Sequence, residues 1–412
     1  DVAGNRAGMA RVYSGSTRQP LFTRYGSAAE DRFGTSIAGA GDVDGDGHDD
    51  VVVGARGGSY ADVLSGATGL PLYRLSGPPG SWFGWAVAGG GHVDADGIPD
   101  LLVGAPQESG GGLGAGTVFV FSGAGGAPVR SHVGTACGGG LGWSVTFYGD
   151  ANGDGRDEYA AGLISSIGCS PTPRVEAYDG ATGNPRWTSS ATSWSDQLGF
   201  SLAALDDVTG DGVPEVLAGA PQDPGIGCGG CSGKGFVRLI DGATGAQVWQ
   251  VGGAFFYAGL GYAVTAVGDV DGDGHEDFAA GQPETDAGGG SNQPVQVRSG
   301  STGALLLELP VPPPLAASDR FGAALASGDA NADGLRDLLV ALPVSDAGGV
   351  NSGEVHVYTI VRETTPYCEA KVNSQGCTPS MHSTGTPSFT TGNFRVRERD
   401  VINNKVGILL WS

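Results

Sequence analysis

Gly41–Ala55 reads GDVDGDGHDDVVVGA, five aspartates within nine residues and then a run of three valines. At neutral pH such crowded carboxylates repel one another unless a cation sits among them. Asp42, Asp44, Asp46 and Asp50 hold positions one, three, five and nine of the stretch, the alternate places from which a tight loop can aim oxygens at one centre. A glycine at position six permits the sharp bend, and His48 at position seven offers its backbone carbonyl. Six to eight oxygen ligands in a flexible shell are what Ca²⁺ takes, so the chemistry read here is binding of a hard divalent cation. Asp49 is out of phase and is expected to face solvent. A helix-loop-helix calcium site would need a bidentate acid at position twelve, where Val53 stands, and flanking helices that are absent from the pattern.

The loop recurs five times, with donor quality varying from copy to copy. The fifth (Asp269, Asp271, Asp273, Asp277, with the His275 carbonyl) equals the first. The third (Asp150, Asn152, Asp154, Glu158, with the Arg156 carbonyl) and the sixth (Asp329, Asn331, Asp333, Asp337, with the Leu335 carbonyl) each trade a carboxylate for an amide. The fourth has Asp207, Thr209, Asp211 and Glu215 with the Val213 carbonyl, and the second opens on His92, leaving Asp94, Asp96 and Asp100. Five to six calcium ions are expected, bound weakest at the His92 loop. Aspartate and glycine favour solvated turns in any protein, but six loops with oxygens in one register go beyond that preference. Six divalent ions would bring the formal charge from −22 to −10. Their role is expected to be structural, because ligation contributes directly to folding free energy.

The first loop positions, 42, 92, 150, 207, 269 and 329, are spaced by 50 to 62 residues, a period that marks a repeat architecture. A Phe-Gly or Leu-Gly pair precedes each loop, at Phe33, Phe83, Leu141, Leu198, Leu260 and Phe321. Phrases such as VLSGATGLPLYRL and RLIDGATGAQVW follow, each a strand, a tight Ser/Asp-Gly turn and a second strand. One repeat is therefore four short strands, with the acidic loop between the first and second. Repeated four-stranded antiparallel units form a β-propeller, and no window holds a helical apolar period. The expected fold is all-β, a propeller over residues 1–362. Seven blades are expected, from six complete repeats and an N-terminal half repeat within residues 9–26. A β-rich tail spans residues 363–412. The seventh blade could close on C-terminal strands, on an upstream segment or on a neighbouring molecule.

Phe-Gly, then Asp-x-Asp-x-Asp-Gly-x-x-Asp, then Gly-Ala-Pro resembles the FG-GAP repeats found in the propeller of integrin α-subunits and in many secreted bacterial proteins. Gly-Ala-Pro is complete at Gly104–Pro106 and Gly219–Pro221; it is altered at Gly54, Gly162, Gly281 and Ala341. The resemblance implies a non-enzymatic, extracellular, calcium-binding propeller acting in adhesion, surface structure or protein binding. A fold-level likeness does not identify a ligand.

The remaining composition agrees with that expectation. A pI near 4.4 argues against nucleic acid as a partner, since phosphate binding needs basic surface. No apolar stretch approaches the ~20 residues of a membrane-spanning helix. Six cysteines allow local pairing of Cys137 with Cys169, Cys228 with Cys231, and Cys368 with Cys377, a pattern suited to an oxidising compartment. No catalytic triad, phosphate loop or metal-spaced histidine set is seen. A protein or cell-surface ligand is the expected partner. The alternatives are self-assembly through the half blade and tail, and a hydrolase or lyase acting on the propeller axis. Trp85, Trp143 and Trp249 lie in strand phrases and are read as packing residues.

Overall fold

The described residues form six blades of four antiparallel strands, with a three-stranded sheet adjoining the first blade. The structure is a computed structural model describing residues 5–164, 171–222, 233–254, 258–283, 293–312, 320–343, 353–361, 388–397 and 408–411. Cys137 is disulfide-bonded, whereas Cys169, Cys228, Cys231, Cys368 and Cys377 lie outside the described residues. Among the described residues, no helix is long and apolar enough to cross a membrane.

Blade one shows how the repeat is used. Strands β3 (Phe33–Gly41), β4 (Asp50–Ala55), β5 (Tyr60–Leu64) and β6 (Pro71–Ser76) pair in chain order. The acidic stretch is the β3–β4 turn, and Ser65-Gly66 opens the β5–β6 turn. Later blades open on β7 (Ala86–Gly91), β11 (Leu141–Gly149), β15 (Ser201–Leu205), β19 (Ala263–Gly268) and β23 (Ala324–Gly328), and these first strands line the axis. The second strand of each blade is covered on both faces, which is why it reads as an unbroken apolar run. Val51, Val52 and Val53 are fully buried, as are Leu101, Leu102 and Val103. Burial of each such side chain contributes roughly 1.5–3 kcal/mol.

The two glycine phrases have one physical cause. A Cβ on Gly104 would lie 2.0 Å from the carbonyl oxygen of Gly142, the glycine of the next blade's Leu-Gly pair. Gly54 meets Gly84, Gly162 meets Gly199, Gly219 meets Gly261 and Gly281 meets Gly322 in the same way. Each Gly-Ala glycine is thus the place where one blade's backbone touches the next. Hydroxyls reinforce the contact: Ser36 donates to the Gly84 carbonyl (2.9 Å), Ser144 to Gly199 (2.6 Å) and Ser201 to Gly261 (2.9 Å). The Phe of the pair fills the space beside it. Phe83, with no exposed surface, packs with Val52 and Val63 of blade one and Leu101 of its own blade.

The N-terminal half repeat forms β1 (Met9–Ser14) and β2 (Pro20–Tyr25), the last two strands of a blade. It packs Ala10 and Val12 against Val51 and Val53 of blade one. Two strands from the C-terminal region join these sheets. β26 (Ser388–Arg397) is the outer strand of blade six, antiparallel to β25 (Glu354–Val361). β27 (Ile408–Trp411) lies parallel to β1 and makes the seventh sheet three-stranded and mixed.

Candidate metal centres

Each acidic loop joins the first strand of a blade to the second, at the opposite end of the first strand from the Phe-Gly pair. Its conformation is written by its own carboxylates. Asp42 accepts from the N–H groups of Gly45 (2.7 Å), Asp46 (3.1 Å) and Gly47 (2.9 Å). The position-five aspartate accepts the N–H of position seven in every copy: His48, Ile98, Arg156, Val213, His275 and Leu335, at 2.8–2.9 Å.

The position-nine acid does more than the sequence reading assigned to it. Asp50, Asp100, Glu158, Glu215 and Asp277 are wholly buried and Asp337 is nearly so. Asp50 takes the Val43 N–H on one oxygen and the Gly66 N–H on the other, both at 2.9 Å. Asp100 likewise joins Val93 (2.7 Å) to Gly123 (3.1 Å), and Asp277 joins Val270 (2.7 Å) to Gly300 (3.0 Å). This side chain clamps the loop to the hairpin turn of the same blade. Burial raises the pKa of all six, that of Asp277 to about 6. The outer acids behave oppositely. Burial is the largest single influence on Asp150 and Asp207 and acts upward, but backbone N–H donors together outweigh it and lower their pKa; at Asp329 the Gly334 N–H leads the lowering.

Among the described residues, five groups of three acids bring ligand oxygens within 4.8 Å of one another and could hold a metal ion. They are Asp42, Asp44 and Asp50; Asp94, Asp96 and Asp100; Asp154, Glu158 and Asp179; Asp207, Asp211 and Glu215; and Asp269, Asp271 and Asp273. The donor set is carboxylate oxygen throughout, which fits a hard cation and no soft one. The second loop converges despite its histidine. The sixth is not among the five, and the Asn331 side chain donates to Asp333 at 2.9 Å. Asp49 is exposed, as its phase predicts.

Asp179 was missed by the sequence reading. It opens the hairpin turn of blade three, where Asn152 donates to both Glu158 (2.8 Å) and Asp179 (2.9 Å). The signal was the aspartate of DGATG, where blades one and two have Ser65 and Ser122. In blade two the turn residue also reaches the loop, Ser122 donating to Asp96 at 3.1 Å. Two position-eight acids, Asp157 and Glu276, were also unassigned, and they link successive loops. Asp157 accepts the His92 N–H (2.8 Å), and Glu276 accepts the Asp206 N–H (3.0 Å) and pairs with Arg336 (3.2 Å).

Comparison with known proteins agrees with this construction. The FG-GAP repeat profile matches residues 33–70, 83–121, 198–239 and 321–358. The chain is an FG-GAP, integrin-like β-propeller. Its relatives include integrin alpha-PS2 of Drosophila melanogaster, 32% identical over 156 residues, which are 35% of this chain and 10% of that protein. Integrin alpha-V of Gallus gallus is 28% identical over 146 residues (35% and 14%), and integrin alpha-8 of Homo sapiens 31% over 172 residues (39% and 15%). The match therefore spans only a small part of each relative. In this FG-GAP propeller the matched segments contain Gly54, Gly84, Gly104, Gly199, Gly219 and Gly322, glycines of the inter-blade contacts described above.

Proposed function

We propose that this chain is a calcium-loaded, non-enzymatic extracellular propeller that binds a protein or cell-surface ligand. The observation that carries the reading is the set of five oxygen-only acid clusters, each centred on the loop between the first and second strands of its blade, the third drawing in Asp179 from the hairpin turn. Asp42, Asp44, Asp46 and Asp50, with the His48 carbonyl, would hold an ion in the first loop, and corresponding residues in the others. Asp179 would add a carboxylate in the third. The sixth loop, with fewest converging acids, would bind weakest. A bound divalent ion would supply the positive charge that the buried position-nine acid otherwise lacks. Likeness to three integrin alpha chains supports protein binding as the role, and the disulfide at Cys137 supports an oxidising compartment. Residues 363–412 would act as a closing module for residues 1–362.

Isothermal titration of the chelated chain with Ca²⁺ is expected to give about five ions, with Mg²⁺ weaker. Ca²⁺ binding at fewer than three sites, or none, ends the reading. Self-association is a second reading, favoured by the seventh sheet having, among the described residues, one strand fewer than the blades. Light scattering of the chain with and without residues 363–412 separates the two: a larger species only when the tail is present supports self-association.

A further inference from the structure

At the Phe-Gly end of blade one, three stretches distant in sequence lie side by side. The N–H groups of Glu30 and Arg32 donate to the carbonyls of Asn5 (2.9 Å) and Arg6 (3.1 Å), while Gly57 donates to the carbonyl of Asp31 (3.0 Å). This backbone lacing gathers Arg6, Arg32 and Arg56 in a protein of net charge −22. Arg56 stands where the repeat motif has proline: Gly54-Ala55-Arg56 against Gly104-Ala105-Pro106 and Gly219-Ala220-Pro221. Arg32 precedes the Phe-Gly pair, a place that glycine holds in blades three and five (Gly140 and Gly259). That place has positive φ in each, 55° at Arg32, and Arg6 has φ of 56°. The left-handed conformation costs a non-glycine residue about 1–2 kcal/mol, so neither arginine is there for the backbone's sake.

One carboxylate serves the cluster. Glu30, half exposed, lies 3.6 Å from Arg6 and 3.8 Å from Arg32, too far for hydrogen bonds. Asp31 is buried and spent on the Ala28 N–H (2.8 Å) and the Tyr60 hydroxyl (2.9 Å). Arg74, the next cation, is closed by two bonds to Asp62 (2.6 and 2.8 Å). Arg56 is half-buried, its guanidinium over the rings of Trp85 (4.5 Å) and Trp82 (5.2 Å). Among the described residues that guanidinium has no hydrogen bond and no ion pair. Burial, and then the nearby Arg32, lower its pKa to about 10 with no acid opposing. The two indoles stack at 5.1 Å. Trp85 also opens an arc of four rings lining the axial cavity, with Trp143, Phe200 and Tyr262 following at centroid distances of 4.5, 5.8 and 4.9 Å. Trp85 is thus more than the packing residue its strand phrase suggested: it is a fixed platform that holds Arg56 in place.

We propose that Arg6, Arg32 and Arg56 form a site for a doubly charged tetrahedral oxyanion, an inorganic sulfate or a phosphate monoester. Planar guanidinium forks match the oxygens of such groups. Three cations against Glu30 leave a local charge of +2, which a dianion neutralises and a single carboxylate does not. Glu30 is the internal competitor, since it stands beside two of the three arginines. The site is independent of the calcium reading, because the acidic loops close the opposite end of the first strand.

Calorimetry and tryptophan fluorescence of the full calcium-loaded chain, at ionic strength fixed with sodium chloride, test this with inorganic sulfate, glucose 6-phosphate, acetate and glucose. Sulfate or glucose 6-phosphate is expected to bind about tenfold tighter than acetate, and glucose not at all. Whether the free ion or the ester leads identifies the source. Arg56→Gln should weaken that dianion about tenfold, and Glu30→Gln should tighten it about threefold. The proposal is overturned if neither dianion outbinds acetate, if Arg56→Gln leaves the affinity unchanged, or if Glu30→Gln fails to raise it. Should Arg56→Gln not fold, Arg32→Gln and Glu30→Gln decide: loss in the first with gain in the second supports the site, and any other pair of results overturns it.

Discussion

Asp100 and Asp44 stand in equivalent loops yet differ in what they would cost to lose. Asp100 is buried and satisfies three backbone N–H groups, of Val93, Asp94 and Gly123. Its replacement by alanine orphans buried donors at about 1–3 kcal/mol each. Asp100→Ala is therefore expected to lose several kcal/mol in urea unfolding even with chelator present, whereas exposed Asp44→Ala should lose cation affinity and little else. Equal losses in chelator would contradict the clamp role. His132 gives a pH prediction. Burial, with Arg130 nearby, lowers its pKa to about 4, and its ring stacks on Tyr178 at 3.9 Å with Nε2 2.6 Å from the Tyr159 hydroxyl. Between about 6.5 and 4 the unfolded chain then binds more protons than the folded one, so the contribution is present above that window and lost as pH falls through it. The melting temperature of the parent should fall more steeply than that of His132→Phe over pH 6.5–4.

The blade-to-blade glycine contact is the property of strands rather than of single residues. Gly104→Ala would press a methyl group into the Gly142 carbonyl at 2.0 Å, with backbone on both sides and no flexible side chain to yield. A loss of about 3 kcal/mol or more is expected. Ala341 occupies the same register place in blade six, opposite Ala324 as Gly104 is opposite Ala86. Blade six has no following Phe-Gly pair to approach, and alanine is tolerated. Ala341→Gly should cost no more than about 1 kcal/mol, the entropic penalty of glycine in a strand. Thermal melts of the two variants side by side check the asymmetry.

At the scale of the whole chain, 44 acidic residues against 22 basic ones leave a net repulsion that the compact form must bear. Removing bound cations would restore it and uncover the buried position-nine acids. A chelated sample is expected to melt lower than a calcium-loaded one and to be cut sooner within the loops. Added sodium chloride should recover part of the difference, because salt screens the dispersed charge but cannot replace a coordinated ion. An identical melting curve with and without chelator would remove the structural role.

The strand order within a blade, the place of the acidic loops and the all-β class were legible in the residues. Each rests on local physics: period-two burial, turn chemistry, and alternation of carboxylates along a tight bend. The reason for Gly54 or Gly104 was not legible, because the carbonyl each touches belongs to a blade that begins some 30 to 40 residues later. Nor could the chain order reveal that Asp179 joins a loop begun at Asp150, that β27 pairs with β1, or that four aromatic rings spaced about 60 residues apart share one arc. Those facts depend on how blades stack around an axis, and stacking brings together residues that no short window of sequence contains.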